Sequence, residues 1–437
     1  MVKLSARNKP AEPTTSTKNN RNNHNMKILT CAIQFGSSRI MAIAAWKNMQ
    51  TGALENIEIE SEPTKGCVSH GHIANTELAA MHIKSVIQKL SNRMRATISS
   101  AYVGIGGMSL HSLIQQPLVQ IPGFDVLHAE PIEGGQHQLI VGDKNLRQGV
   151  VAAMERAGVR MHDVIVLPQA TATILTDEER QRGCVLVDLG AGTTTVSIYK
   201  QGDLQHLAVI PLGGDAVTYD IESTGCSREE AERIKLEWSD AAHEGKEGAG
   251  SNQQSVANAL FADKALPIPQ GTLNTIVTCR YEEIAANIQH QIENSGLKSH
   301  LDAGCILTGG AAVQRGLTAL MGQRLGVAKI ETRAYSERAF IGSERKPHLT
   351  NLLALLNFCA EDCQAPAKPL NVAPAPQPKP AAAPAPAASS EKNNGQLSIE
   401  MPEPEPIQAE EETEKNKKSS FRSGVSRFLG DLFSGQN

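Results

Sequence analysis

One plan of residues occurs twice in this sequence, and it constrains the fold more than any other feature. The segments CAIQFGSSRIMAI and CVLVDLGAGTTTVSIY lie about 154 positions apart. In each, a short apolar run precedes a turn of glycine and hydroxyl residues, and an alternating apolar stretch follows the turn. Period-two alternation on both sides of a glycine turn predicts a β-hairpin. The chain therefore carries two hairpins of one design.

Both turns are candidate phosphate-binding loops. Glycine leaves backbone N–H groups unshielded by a Cβ atom, and neighbouring hydroxyls add donors for phosphate oxygens. Asp188, at a strand end beside the second turn, is a candidate partner of Mg²⁺ through water, because this ion keeps most of its hydration shell. Either turn alone is more often a plain hairpin turn, but the repeat favours a pair that clamps a polyphosphate. The turn residues are Gly36, Ser37 and Ser38 in the first hairpin and Gly190, Gly192, Thr193 and Thr194 in the second.

Two other motifs accompany the hairpins. In CILTGGAAVQRGL a strand runs into Gly309 and Gly310 and then into a helix of small residues, which allows a flat or phosphorylated ligand to approach the backbone. In SREEAERIK the residues Ser227 and Glu230 form a helix capping box. Taken alone, the first motif is weak and the second indicates only a solvated helix.

The pattern along the chain is that of an α/β protein with appendages. A length of 437 residues predicts two cores rather than one. From Lys27 onward, short apolar runs alternate with amphipathic stretches, and Gly158 is a plausible helix stop. Strands are predicted at 28–33, 101–105, 164–167, 185–187 and 305–307, and helices at 77–90 and 146–156.

Composition excludes several classes of protein. The net charge is −4, with acidic and basic residues interspersed, so no nucleic-acid partner is expected. Eight scattered cysteines without CxxC pairs indicate a reducing compartment, and a metal site at Cys359 and Cys363 is a minor alternative because no histidine lies nearby. We expect neither a signal peptide nor a membrane span, because residues 1–25 have no apolar run and no stretch of about 20 apolar residues occurs. Residues 1–26 are predicted to be a disordered arm, and Met26 is an alternative start to Met1.

The C-terminal end is a separate functional unit. Residues 363–418 form an Ala/Pro-rich and then acidic linker that is too poor in large apolar side chains to bury a core. Residues 419–437 are predicted to form an amphipathic, membrane-targeting helix with one apolar stripe and basic residues that anionic lipid attracts. The alternative is a helix that docks on its own domain or on a protein partner. The membrane-facing residues would be Phe421, Arg422, Val425, Arg427, Phe428, Leu429, Leu432 and Phe433.

The motifs together resemble the actin, Hsp70 and sugar-kinase superfamily. Within it, VLVDLGAGTTTVSIYKQGDL, AVIPLGGDAVTYDI, SREEAERIK and CILTGGAAVQRGL are similar to the FtsA family of bacterial cell-division proteins, over residues 27–355. The resemblance implies an actin-like, ribonuclease-H-like duplicated α/β fold, with two lobes around a nucleotide cleft. The lobes would span 27–212, with a shortened small subdomain at about 108–163, and 213–362.

The same resemblance assigns roles to residues. It implies ATP and Mg²⁺ as cofactors, with Asp188 as the metal partner and the two turns on opposite sides of the phosphates. It adds Gly213, Gly214 and Asp215 to the phosphate-binding set, and it places Glu232, Lys235, Gly309 and Gly310 at the nucleoside.

Two residues depart from the pattern of these relatives. Gln34 stands where an acidic residue is usual, and Leu167 stands where many members carry a carboxylate that orients water. A hydrocarbon cannot act as a general base. We therefore expect tight ATP binding with slow hydrolysis, at most a weak ATPase, and name no catalytic residue.

The resemblance implies a tether between FtsZ filaments and the inner face of the cell membrane at the division septum. Residues 226–300 would take the C-terminal peptide of FtsZ, and anionic lipid, self-association and other division proteins would complete the set of partners. The alternatives are another membrane-associated actin-fold assembly protein, of a pilus or rod-shape system, and an actin-fold ATPase or kinase.

Overall fold

The computed structural model describes residues 27–115, 121–132, 136–242, 268–336 and 346–364. The chain divides into two units, 1–372 and 373–437, and every described residue belongs to the first. The strands are β1 Lys27–Phe35, β2 Arg39–Asn48, β3 Leu54–Pro63, β4 Val68–Ser69, β5 His72–Ile73, β6 Ser100–Ile105, β7 His111–Gln115, β8 Phe124–Ile132, β9 Gln136–Asp143, β10 Arg160–Val166, β11 Cys184–Leu189, β12 Thr194–Lys200, β13 Asp203–Ile210, β14 Gly304–Thr308 and β15 Ile330–Thr332. The α-helices are α1 Thr76–Met94, α2 Lys144–Ala157, α3 Leu167–Thr171, α4 Asp177–Arg182, α5 Gly214–Glu222, α6 Arg228–Trp238, α7 Gln270–Asn294, α8 Leu317–Leu325 and α9 Thr350–Phe358.

The first sheet contains five strands in the order β10-β6-β1-β2-β3. β1 and β2 form the first predicted hairpin, with Phe35 opposite Ile40, and β6 runs parallel to β1. Helix α1 covers one face of this sheet and α9 covers the other, because alternate residues of β1 point to opposite faces and both sets are buried. A sheet covered on both faces by helices is typical of an α/β fold.

The second sheet repeats the plan of the first. β11 and β12 form the second predicted hairpin, with Leu189 opposite Thr194, and β14 runs parallel to β11. Its order from β15 through β14, β11 and β12 to β13 matches β10-β6-β1-β2-β3 strand for strand. The predicted duplication of an α/β half is therefore confirmed at the level of sheet topology.

Three strands of the small subdomain extend the second sheet rather than the first. β7 pairs with β13 at His111 and Ala208, and β9 and β8 follow outward. Ser112 strengthens the junction, because its hydroxyl accepts a hydrogen bond of 2.8 Å from the Leu207 backbone N–H. Helix α2 then leads back to β10 in the first sheet. The segment therefore links the two halves of the molecule.

The predicted lobe boundary at residue 213 does not coincide with the change of sheet. β11, β12 and β13 already belong to the second sheet, and α9 packs on the first although it lies near the described C-terminal end. The reason is that the parallel strand β14 can pair with β11 only when β11 is part of the same sheet.

The structure agrees with most of the predicted starts and ends of helices. α1 and α2 contain the predicted helices, and α2 stops at Gly158 with a left-handed φ of 71°. The capping box of Ser227 and Glu230 is formed at the start of α6. Two details differ: β10 ends at Val166 because α3 begins at Leu167, with Pro168 in its first turn, and the glycine pair leads only into a single 3₁₀ turn, 310–313, before α8.

The predicted disordered arm, the linker and the amphipathic helix lie outside the described residues. So does the glycine-rich segment between Ala242 and Ile268. Within the described part of the chain, no helix has the length and apolar character needed to cross a membrane.

Candidate functional site

The two glycine turns meet face to face between the sheets. Each turn is closed in the same way: the Gly36 N–H donates to the Arg39 carbonyl at 3.0 Å, and the Gly190 N–H donates to the Thr193 carbonyl at 2.9 Å. A Cβ atom on Gly192 would lie only 2.8 Å from the Ser37 Cβ atom. Because Gly192 has no side chain, the two loops can touch.

An open cleft of about 1180 Å³ lies behind the two turns. This volume is ample for a nucleotide, since ligand pockets are commonly ~300–1,000 Å³. Its wall includes residues from every motif that the sequence singles out. These are Gly36, Ser37, Ser38, Asp188, Gly190, Gly192, Thr193, Gly214, Asp215, Glu232, Lys235, Gly309 and Gly310.

Two of the predicted phosphate-binding residues do not line the cleft. Thr194 is fully buried, and its hydroxyl donates to the Leu212 carbonyl at 2.8 Å. Gly213 packs instead against the second turn, where a Cβ atom would lie 2.5 Å from the Ala191 carbonyl oxygen and 2.6 Å from that of Gly190. Both residues thus support the second glycine turn and do not face the cleft.

The start of α5 is fastened to the second glycine turn by backbone hydrogen bonds. The Gly214 N–H donates to the Gly190 carbonyl at 3.0 Å, and the Asp215 N–H donates to the Ala191 carbonyl at 2.8 Å. The Asp215 carboxylate pairs with Arg228 at 3.1 Å, and both side chains line the cleft. Loop and helix therefore form one rigid side of the site.

Asp188 has the surroundings expected of a cation partner. Its Oδ2 atom accepts a hydrogen bond of 2.6 Å from the Asn351 amide. Burial raises the pKa of the carboxyl group, and the bond from Asn351 opposes that shift. Among the described residues, Gln34 also lines the cleft with a buried Oε1 atom that has no hydrogen-bond partner. A carboxylate and an orphaned amide oxygen are hard oxygen donors, so these residues fit a hydrated Mg²⁺ ion.

Lys235 holds together the part of the cleft wall that α5 and α6 form. Its side chain is 5% exposed, and Nζ donates to the Gly214 carbonyl at 3.1 Å, to Thr218 Oγ1 at 2.8 Å and to Glu232 Oε2 at 2.6 Å. An ammonium group has three protons, so these bonds use all of them. Glu232 is 44% exposed and remains open to a ligand.

Comparison with known proteins agrees with this geometry. The family model described as "Cell division protein FtsA" matches residues 185–364. The chain is 29% identical over 350 residues to the cell division protein FtsA of Porphyromonas gingivalis, covering 69% of this chain and 72% of the relative. It is 26% identical over 377 residues to FtsA of Pseudomonas aeruginosa, covering 75% and 88%. This chain is related to the FtsA cell-division proteins.

A solved structure supports the fold of this FtsA relative. A chain of the "PilM-PilN type IV pilus biogenesis complex" superposes with a TM-score of 0.55 at 19% identity, over 75% of this chain and 97% of that one. At this identity the likeness concerns the fold alone. The fold is actin-like, as the sequence motifs predicted.

Leu167 contributes a hydrocarbon side chain to the wall of the cleft in this FtsA-related chain. The residue is 7% exposed, and it begins α3 next to Pro168. Its Cδ2 atom lies 2.7 Å from where a Cβ of Gly104 would stand, so the side chain packs on the backbone of β6. No proton can be taken up at this position.

Several lining residues had no clear signal in the sequence. His70 stands in a left-handed turn with φ 49°, and Leu236 and Val313, which also line the cleft, leave 52% and 50% of their surface exposed. Asn351 opens an apolar helix, where a polar residue usually means no more than a helix start. A single sequence cannot show that these four residues share one wall.

The cysteine alternative is not supported by the described residues. Cys359 and Cys363 are buried, and Cys363 Sγ accepts a hydrogen bond of 3.0 Å from the Cys31 N–H. Nowhere in the described ranges do three or more His, Cys, Asp or Glu side chains form a metal-holding group.

Proposed function

We propose that this protein is an ATP-binding, membrane-anchored adaptor of cell division that fastens FtsZ filaments to the membrane. The observation that carries the proposal is the convergence of both glycine turns, Asp188 and the Gly309–Gly310 pair on one cleft. The relationship to FtsA supplies the division context. The membrane part of the proposal rests on the sequence of residues 419–437.

ATP would lie with its phosphates between the two turns. Backbone N–H groups and the hydroxyls of Ser37, Ser38 and Thr193 would donate to the phosphate oxygens. Asp188 would hold Mg²⁺ through water, and the ion would supply charge neutralisation for the phosphates when bound. The base would lie on the Gly309–Gly310 backbone, between apolar side chains from α6 and the following turn, Leu236 and Val313.

Hydrolysis would be slow because the cleft lacks a base at Leu167. In this reading, nucleotide is a structural ligand that joins the halves of the fold. Turnover of tens per second with any acceptor would instead indicate a kinase or a chaperone ATPase built on the same fold.

The test of the anchor is co-sedimentation with anionic liposomes. The full chain should pellet with the vesicles, and a chain truncated after Lys418 should stay in the supernatant, because the apolar stripe and its basic residues are then lost. Equal pelleting of both chains, or of neither, would contradict the membrane role of residues 419–437.

The adaptor role needs a second component. Purified FtsZ should be recruited to the same liposomes only when the full chain is present, and removal of the FtsZ C-terminal peptide should abolish recruitment. The segment 226–300 is the proposed contact. Membrane binding without recruitment would favour another actin-fold assembly protein, of the pilus or rod-shape kind.

A further inference from the structure

Asn351 joins the two halves of the molecule at the phosphate end of the cleft. It lies in the first turn of α9, which packs on the first sheet, and its amide reaches Asp188 at the end of β11 in the second sheet. Asn351 is only 8% exposed, so this contact is not a flexible surface bond. The two residues are 163 positions apart in sequence.

The orientation of the Asn351 amide follows from its two neighbours. A carboxylate accepts only, so the atom that contacts Asp188 Oδ2 at 2.6 Å must be the NH₂ group. The Oδ1 atom then faces the Thr171 hydroxyl, 2.5 Å away, whose single proton is shared between Asn351 Oδ1 and the Leu167 carbonyl oxygen at 2.8 Å. Thr171 is 2% exposed and belongs to α3, the helix that Leu167 begins. Thr171, Asn351 and Asp188 thus form a buried relay, which we call the Asn351 relay.

The relay itself contains a single carboxylate, that of Asp188. Gln34 and Asn351 are neutral amides, and Asp188 contributes the carboxylate that faces them in the cleft wall. Asp215, the other predicted phosphate-side carboxylate in the cleft wall, is paired with Arg228, so the affinity for a cation beside the relay would depend on how well Asp188 is aimed. A hydrogen-bonding partner that orients a metal-binding carboxylate typically accounts for 10–100-fold in metal affinity.

We propose that Asn351 is a positioning residue: held by Thr171, it aims the Asp188 carboxylate at the nucleotide-bound divalent cation and thereby couples cation binding to helix α9. This inference rests on the proposed nucleotide function and adds to it the residue that sets the cation dependence. Oδ2 is occupied by the amide, and Oδ1 points toward the Gly309 turn, where a Cβ atom would collide with it. Oδ1 does not contact the Asn351 amide, and it would be the oxygen offered to a hydrated ion.

The experiment measures the dissociation constant of ATP with Mg²⁺ and with EDTA, by calorimetry on the full chain. Asn351→Ala should weaken binding about 10-fold or more in Mg²⁺, and it should leave the EDTA value within about 3-fold. Asn351→Ala should therefore lower the ratio of the dissociation constant in EDTA to that in Mg²⁺, and Asn351→Asp should raise this ratio. It places a second carboxylate beside Asp188, so binding weakens in EDTA through like-charge repulsion and recovers in Mg²⁺.

The matched controls are one substitution elsewhere in α9 and one at Thr171, the residue that holds the Asn351 amide. Asn357→Asp makes an identical charge change at an exposed position of α9 and should alter neither constant. Thr171→Val removes the hydroxyl at nearly constant volume and should reproduce Asn351→Ala with a smaller effect. Thermal unfolding without nucleotide identifies any variant that is merely unfolded.

Four results would overturn the inference. Equal weakening in Mg²⁺ and EDTA by Asn351→Ala would mean that the residue supports the cleft as a whole, and unchanged constants would mean that Asp188 is aimed by other groups. If the wild-type chain bound no ATP in either buffer, the nucleotide function itself would fail, and this inference would fall with it. If the wild type bound ATP but Asn351→Asp left the ratio of the EDTA and Mg²⁺ dissociation constants unchanged, the relay would be rejected and the nucleotide function would stand.

Discussion

At the scale of single residues, close backbone approach decides which glycines matter. Gly213 is the clearest case, because its extended backbone suits any residue but its Cα lies against two carbonyl oxygens of the second turn. By contrast, a Cβ atom on Gly271, near the start of α7, would meet nothing within 4 Å. Sequence position alone does not distinguish the two.

Gly213→Ala should therefore destabilise the protein and loosen the second turn. Forcing a methyl group against fixed backbone oxygens typically costs about 1–3 kcal/mol. Urea denaturation would measure the loss in free energy of unfolding, and Gly271→Ala is the control. The control should be neutral or stabilising by up to about 1 kcal/mol, because alanine is the better helix former. Equal stability of the two variants would show that the loop yields without cost.

At the scale of elements, an ion-pair cluster centred on Arg333 helps to hold the connection between the sheets. Arg333, just after β15, contacts both Glu179 oxygens at 2.6 and 2.8 Å and donates to the Ile174 carbonyl at 3.0 Å. Glu179 lies in α4, between the first sheet and β11. The Arg333 guanidinium lowers the pKa of Glu179 from 4.5 to about 2, helped by the Thr176 N–H. The cluster therefore ties the strand edge of the second sheet to the helix that leads into it.

This pair predicts a defined pH dependence. Because the folded-state pKa is below the ordinary one, the stabilisation is complete above about pH 5 and is lost as pH falls toward 2. The unfolding free energy of the wild type should exceed that of Glu179→Gln by on the order of 2 kcal/mol at pH 7. The difference should shrink between pH 5 and pH 3. Glu178→Gln, at an exposed neighbour, should show no such trend.

At the scale of the whole molecule, the cleft is built from both halves of the duplicated fold. The first turn comes from the β1–β2 hairpin and the second from the β11–β12 hairpin, while α9 returns to the first sheet beside them. A ligand held by both turns must stabilise the arrangement of the two halves. Its binding energy is added to the stability of the folded state by mass action.

ATP with Mg²⁺ should accordingly raise the melting temperature. At 100 times the dissociation constant the linkage is worth about 2.7 kcal/mol, or roughly 4 °C for a domain of this size. Differential scanning fluorimetry would measure the shift, with adenosine at the same concentration as the comparison. Adenosine lacks the phosphates that the two turns are expected to clamp, so a shift as large as that of ATP would contradict the clamp.

The local pattern of the sequence determined much of this structure. Both hairpins, the capping box at Ser227 and the helix stop at Gly158 were predictable, because period-two alternation, caps and glycine stops act within a few neighbouring residues. The glycine, hydroxyl and carboxylate residues of the cleft were found for the same reason. Their chemistry is visible in short motifs.

Tertiary structure alone decided the rest. The membership of β11, β12 and β13 in the second sheet and the return of α9 to the first depend on pairings between distant segments. The hydrogen bond from Asn351 to Asp188 spans 163 positions, and the packing of Gly213 against Ala191 depends on how α5 docks. A single sequence contains both residues of such a contact, but it does not show that they are neighbours. They become neighbours only when the complete fold brings two distant segments together.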